Sequence, residues 1–225
     1  MIKKIITADN TETFLNEEVG ESYHSQTGAV EEALKKYVLP CKIKEFAKTG
    51  KIAILDVCSG LGYNSAMAID VALEENPHCQ IEVFCLEFDP IIVGKVLEVD
   101  PPIKSLSFYK ELVRNNDLKS DQINFNKNNL NITLIIGDAR ETCKDLPENH
   151  FDAVFFDPFS PKTAPEMWTE DFFKEMYRVM KDSALLATFS CARMVRENMS
   201  KAGLFYDDGP IVGRRGPGTI ATKWI

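Results

Sequence analysis

From Lys51 onward, five short apolar runs alternate with segments of helical spacing: Ile52 to Val57, Ile81 to Phe88, Ile132 to Ile136, Ala153 to Phe156 and Ala184 to Phe189. Alternation of this kind reads as parallel strands joined by crossover helices, so the expected fold class is α/β, a doubly wound Rossmann-like sheet. Between the runs, Trp168, Phe172, Met176 and Met180 fall on one helical face. Ser190 is placed to cap a helix that ends at Gly203. Phe205 and the closing run Ile220 to Ile225 flank a Gly/Pro-rich turn, which predicts a final hairpin with an antiparallel strand. The polar, Asn-rich stretch from Asn115 to Asn131 reads as an exposed insertion.

Residues 1–50 form an N-terminal extension before this core, which spans 51–225, and no repeat or linker argues for more than one domain over 1–225. In the extension, Ile2 to Thr7 and the region of Phe14 resemble short strands. Val30, Leu34, Tyr37 and Val38 recur at helical spacing. Pro40 is expected to close that helix and open the next, through Phe46. With 225 residues and 44% hydrophobic content the chain is long enough for a sizeable core. No apolar run reaches the roughly 18 residues of a membrane span and the start lacks a signal-peptide pattern, so a cytoplasmic protein with no membrane partner is expected. Six cysteines without a CxxC pair and three scattered histidines support neither zinc nor disulfides, and no metal is expected. A net charge of -8 means that any nucleic-acid partner must be met by a local basic patch.

In an open parallel sheet, ligands bind beyond the carboxyl ends of the strands. After the first core run comes Asp56-Val57-Cys58-Ser59-Gly60-Leu61-Gly62-Tyr63-Asn64, a glycine turn entering a helix. Gly60 and Gly62 permit positive φ and close approach of a ligand to the backbone, although a tight strand-to-helix turn without a ligand would use the same glycines. After the second run, Glu87 is positioned to accept two hydrogen bonds from a ribose diol, with Asp89 before Pro90 as a helix cap. After the third, Asp138 in Gly137-Asp138-Ala139 suits an exocyclic amine, and equally suits a plain helix cap. Glycine or carboxylate at three successive strand ends favours a nucleoside ligand. The fourth run ends in Asp157-Pro158-Phe159-Ser160-Pro161, where two prolines stiffen a loop holding Asp157 beside aromatic Phe159. A carboxylate with an aromatic wall can hold an amine with its lone pair aimed at an electrophile.

These residues resemble the class I S-adenosylmethionine-dependent methyltransferases. More specifically, the chain is similar to the methyltransferase domain of the MnmC family, which forms 5-methylaminomethyl-2-thiouridine at the tRNA wobble position. The resemblance rests on Thr13-Phe14, Tyr23-His24-Ser25, Gly28 to Glu32, Gly62-Tyr63-Asn64, Phe156 to Pro161, Pro165 to Thr169, Leu186 to Ser190 and Gly213-Arg214-Arg215-Gly216. Cys58 stands where the general motif has its first glycine. The bifunctional members of that family carry a flavin-dependent oxidase domain after the methyltransferase, which this chain lacks, so no FAD is expected.

The resemblance implies methyl transfer from S-adenosylmethionine to the primary amine of a 5-aminomethyl uridine in tRNA, with S-adenosylhomocysteine as product. It implies that the extension covers the cofactor. The cofactor set would be Tyr23, Ser25, Asp56, Gly60, Gly62, Asn64, Glu87, Asp138, Ala139 and Asp157, and the reacting amine would meet Asp157, Phe159 and Glu31. Glu31 and Glu32 also suit a solvated helix face. Trp168 is a candidate to stack on a base, though its helical stripe equally suits the core. For the tRNA backbone the candidates are Arg193, Arg196, Lys201, Arg214 and Arg215, against a merely solvated surface. No obligate protein partner is expected. A small-molecule amine N-methyltransferase, a spermidine-synthase-type aminopropyltransferase and a non-catalytic RNA-binding module remain as other readings. The second is disfavoured by the absence of its run of glycines.

Overall fold

The computed structural model describes residues 1–213 and 215–223; Arg214, one of the candidate tRNA contacts, lies outside the described residues. The chain begins with a small antiparallel sheet of three strands, β1 (Ile2–Ile6), β2 (Glu12–Asn16) and β3 (Glu21–Ser22). Helix α1 (Ala29–Glu32) then widens into a π-helical turn over Ala33–Val38 before α2 (Ile43–Lys48). Pro40 does not start α2; Lys42, in the left-handed region at φ 52°, is the residue that precedes it. The core follows as β4 (Lys51–Val57), α3 (Tyr63–Glu75), β5 (Gln80–Glu87), α4 (Pro90–Gly94), α5 (Leu106–Asn115), β6 (Gln122–Lys127), β7 (Leu130–Ile136), α6 (Ala139–Thr142) and β8 (Phe151–Phe156). It ends with α7 (Glu170–Val179), β9 (Met180–Thr188), α8 (Arg193–Lys201), β10 (Phe205–Asp208) and β11 (Thr219–Thr222).

The eight core strands form one sheet in the order β10-β11-β9-β8-β4-β5-β7-β6. The five apolar runs of the sequence are its parallel strands, β9, β8, β4, β5 and β7. From β4 the chain builds outward through β5 to β7, then returns to place β8 on the other side of β4, with Ile54 beside Ala153 and Val57 beside Phe156. The gap between β4 and β8 is therefore the topological switch point, where strand-end loops diverge and open a crevice.

Side-chain alternation assigns the two faces of the sheet. Ile52 and Ile54 of β4 pack with the N-terminal helices, α3 and α5, while Ala53, Leu55 and Val57 pack with α6, α7 and α8. A register shift between Phe151 and Ala153 keeps Phe151 on the same face as Val154 and Phe156. Trp168, Phe172, Met176 and Met180 are all buried on that face, as their spacing requires, although Trp168 sits in a short 3-10 turn and Met180 already begins β9. Thr169 caps α7 by accepting from the Phe172 N–H at 3.3 Å.

Two local expectations need correction. The Asn115 to Asn131 stretch is no insertion: it contains edge strand β6, antiparallel to β7, joined by a tight turn in which Asn128 takes φ 53°. Ile123 and Phe125, two residues apart, face the core and fix the strand among polar neighbours. Ser190 does not cap α8; the helix starts at Arg193 behind Ala192, and the Ser190 hydroxyl accepts only from the Ala192 N–H at 3.4 Å. The closing hairpin of β10 and β11 is present and pairs to β9 in antiparallel fashion. No described helix is long and apolar enough to cross a membrane.

Candidate active site

A cavity of about 1020 Å³ lies over the carboxyl ends of β4, β5, β7 and β8, roofed by the segment around β3. The roof is fastened chemically. Glu21 of β3 accepts from the Ser160 backbone N–H at 2.9 Å and from the hydroxyls of Ser160 and Thr163, tying the extension to the loop after β8. Beside it, the Tyr23 and Phe159 rings meet at 5.2 Å and form an aromatic wall of the cavity. Burial pushes the Tyr23 phenol up to about 12, so it stays protonated.

Asp157 follows β8 and lines the cavity. One carboxylate oxygen accepts from the Tyr37 hydroxyl and the other from Asn64 Nδ2 at 3.1 Å. Burial, with the nearby charge of Glu32, pushes the Asp157 carboxyl well above the usual carboxylate range, against the opposing effect of the Tyr37 hydrogen bond. Glu87 at the end of β5 also lines the cavity. It already accepts three backbone N–H bonds, from Gly60 at 2.8 Å, Phe88 at 2.8 Å and Asp89 at 3.0 Å, which leaves little of its capacity of about four for a diol. Burial raises its pKa and those N–H groups oppose the rise. Among the described residues neither Glu87 nor Asp157 forms an ion pair, although the charge of buried Lys36, paired with Glu32, is felt at Asp157.

The third strand end differs. Asp138 caps α6 through the Arg140 N–H at 3.0 Å and pairs with the Arg140 guanidinium at 2.5 Å, which holds its carboxyl below the usual range. The cap reading is thus realised while Asp138, Ala139 and Arg140 all face the cavity.

Several expected site residues act at one remove. Gly60 and Gly62 both take positive φ, 54° and 75°, but neither lines the large cavity; the residue of this turn that does is Cys58. A Cβ at Gly62 would lie 2.8 Å from the Tyr109 ring, so that glycine serves packing beneath the turn. Asp56 is fully buried below the cavity floor, accepts from the Ser65 N–H at 3.2 Å, and is pushed by burial up to about 7. Asn64 reaches the site only through Asp157.

In the extension, the cavity receives Glu32 and not Glu31. Glu31 points outward and pairs with Lys35 at 2.6 Å, half exposed. Glu32 is buried with Lys36 as its ion-pair partner and also accepts from the Ser25 N–H at 2.6 Å, which holds Ser25 at the cavity wall. His24, in the same wall, is stacked on Tyr63 at 4.6 Å and pushed by burial down to about 4, so its imidazole is neutral.

The candidate nucleic-acid contacts divide. Trp168 is fully buried, donates to the Phe159 carbonyl at 2.9 Å and packs on Phe156 and Phe189, so it supports the Phe159 loop and offers no face to a base. Arg196 is bound to Asp208 at 2.6 Å and Thr219 at 3.0 Å and lies over the Tyr206 ring, a staple between α8 and the last hairpin. Arg193, Lys201 and Arg215 are exposed. Glu21, Glu32, Tyr37 and Cys58 were not singled out as site residues. The only signal for Tyr37 was its place in a helical stripe, which reads as core.

A parallel sheet with an acid-lined crevice at its switch point and an N-terminal roof defines a Rossmann-like class of nucleoside-binding α/β proteins. Residues 105–224 match the family described as S-adenosyl-L-methionine-dependent methyltransferase, and the chain belongs to that family. Its structure is similar to that of MnmC2 from Aquifex aeolicus, with a TM-score of 0.86 and 31% identity over 99% of this chain and 70% of that one. An uncharacterized protein of Methanocaldococcus jannaschii is 33% identical over 96% of this chain. The tRNA 5-methylaminomethyl-2-thiouridine biosynthesis bifunctional protein MnmC of Leptospira interrogans is 25% identical over 94% of it. The chain spans 58% of the length of the Methanocaldococcus protein and 34% of that of the Leptospira protein.

Proposed function

We propose that this chain transfers a methyl group from S-adenosylmethionine to the aminomethyl group of a modified wobble uridine in tRNA, turning 5-aminomethyl into 5-methylaminomethyl-(2-thio)uridine. What carries the reading is Asp157, a half-buried carboxylate at the mouth of the switch-point crevice with both oxygens oriented by neutral donors and an aromatic wall beside it. The MnmC relatives supply the tRNA part of the proposal.

The residues present fit the cofactor. A cavity of about 1020 Å³ is at the upper end of what small-ligand sites occupy, and its unpaired carboxylates favour a cationic guest. Glu87, Asp138, Ala139, Tyr23 and Ser25 would hold it. When bound, S-adenosylmethionine supplies an electrophilic methyl group on a sulfonium.

The acceptor amine must react through its lone pair. With a lysine-like pKa near 10.4, the neutral amine costs about 4 to 5 kcal/mol at pH 7. Asp157, raised by burial and by Glu32 against the opposing charge of Lys36, is a stronger proton acceptor than an exposed aspartate and has no ion-pair partner of its own among the described residues. It would accept the amine N–H, direct the lone pair toward the methyl donor, and hold the proton that the methylated nitrogen releases until water takes it. Alignment of two reactants contributes on the order of 7 to 11 kcal/mol, so Asp157 and the Tyr23–Phe159 wall act chiefly by orientation.

A second reading, a small-molecule amine N-methyltransferase, is favoured by one observation: carboxylates dominate the cavity lining, where Arg140 is the one arginine among the described residues. Mass spectrometry of tRNA nucleosides after incubation of tRNA rich in 5-aminomethyl uridine with enzyme and cofactor separates the two. A methyl gained on that uridine, with free alkylamines left unmodified, is the expected result; methylation of free amines and not of tRNA overturns it.

A further inference from the structure

We infer that Tyr37, in the π-helical turn over Ala33–Val38, is the positioning residue that sets the orientation and charge of Asp157. The inference rests on the role given above to Asp157. The hydroxyl of Tyr37, from the extension, reaches Asp157 across 120 residues of sequence.

The local geometry fixes where Tyr37 points. The Leu39 N–H donates to the Leu34 carbonyl at 2.9 Å, five residues back, which widens the helix by one residue. Lys36, Tyr37 and Val38 in this turn are buried at 2%, 0% and 0% exposure. Lys36 pairs with Glu32 one turn back and Tyr37 donates to Asp157, two adjacent polar groups aimed at two neighbouring carboxylates. The Tyr37 ring is held edge-on to Phe155 at 6.0 Å, so its hydroxyl has a fixed address.

The chemistry follows from the donor. Burial pushes the Tyr37 phenol well above its ordinary value, so it remains a donor at every pH the protein meets. A donor that never ionises favours the charged form of its partner, and here it counters the burial and the Glu32 charge that favour protonated Asp157. With Tyr37 on one oxygen and Asn64 on the other, each oxygen keeps a lone pair for an incoming amine.

Two substitutions move this in opposite directions. Tyr37→Phe keeps the ring and removes the donor; 3-fluorotyrosine at position 37 keeps the fold and strengthens the donor. The readouts are a carbon-13 NMR titration of the aspartate carboxyls, with the Asp157 signal assigned by its loss in Asp157→Asn, and the pH profile of tRNA methylation. Tyr37→Phe should raise the Asp157 midpoint by about one unit and lower the rate at neutral pH about tenfold, with partial recovery in alkali and cofactor affinity kept. Fluorotyrosine should lower the midpoint. An unchanged midpoint in the fluorotyrosine protein, or in a folded Tyr37→Phe protein, overturns the inference. Should Tyr37→Phe fail to fold, the fluorotyrosine titration decides alone. The titration needs no acceptor, so absence of tRNA methylation by the parent would overturn the proposed function while the Asp157 midpoints still judge Tyr37.

Discussion

The rim of strand ends and the N-terminal roof contribute to the same cavity by different means. On the rim, each carboxylate occupies a place dictated by topology: Glu87 ends β5, Asp138 lies just past β7 and Asp157 follows β8, with backbone N–H groups meeting Glu87 and Asp138 and the side chains of Tyr37 and Asn64 meeting Asp157. On the roof, function depends on which way a helix faces. Glu31 and Glu32 are adjacent and chemically identical, yet one is in solvent with Lys35 and the other in the cavity wall with buried Lys36. Topology tolerates small changes on the rim, whereas one residue of rotation on the roof exchanges an inert surface pair for a buried charge network.

The sharpest break in this comparison is Asp157→Ala. It should lower methyl transfer about a thousandfold or more by removing the group that orients the amine, with cofactor binding measured by calorimetry retained. Equal loss of both in a folded variant would move Asp157 into the cofactor shell.

Next in size is the contrast on the roof. Glu32→Ala leaves Lys36 buried without its counter-charge and frees the Ser25 N–H, so chemical denaturation should show a loss of about 3 kcal/mol. Glu31→Ala breaks a half-exposed pair and should cost about 0.5 kcal/mol or less. Similar losses for the two would erase the distinction between the outward and inward faces of α1.

Glu87→Ala tests the rim itself. Cofactor affinity should fall by about 1.5 to 3 kcal/mol in calorimetry, through lost contact with the ligand and through release of the Gly60 turn. Unaltered affinity would reduce Glu87 to a turn brace.

The smallest effect concerns neither region. Arg193 and Arg215 are exposed, on a protein of net charge -8. If they touch tRNA, Arg193→Ala with Arg215→Ala should make the salt dependence of binding shallower by about 1 to 2 in log–log slope, at up to 0.9 per phosphate contact, without affecting cofactor binding. An unchanged slope would make both residues plain surface charge.

Much of this was legible in the chain. Five apolar runs at crossover spacing determine a parallel sheet, because short buried strands separated by helix-length segments have few other ways to pair. Acidic residues and glycines directly after those runs then mark the crevice, since strand ends of a parallel sheet open to one side. Edge strand β6 was hidden because an edge needs only one buried face: Ile123 and Phe125 suffice, and the surrounding asparagines look like loop. Trp168 and Arg196 illustrate the opposite failure, residue types suited to nucleic acid that packing had already engaged, one under Phe159 and one against Asp208.

What the sequence determined by itself was the class of fold, the order of its strands' chemistry and the position of Asp157, all of which depend on local pattern and on the fixed handedness of crossover connections. What only the tertiary structure decided was the partnership around that aspartate. Tyr37 and Asn64 come from distant elements: the helical stripe marks Tyr37 as inward-facing, but that its hydroxyl ends on Asp157 is contained in no period read along the chain. Hydrogen bonds across such separations depend on where whole elements come to rest, and that is settled by packing on both faces of the sheet at once.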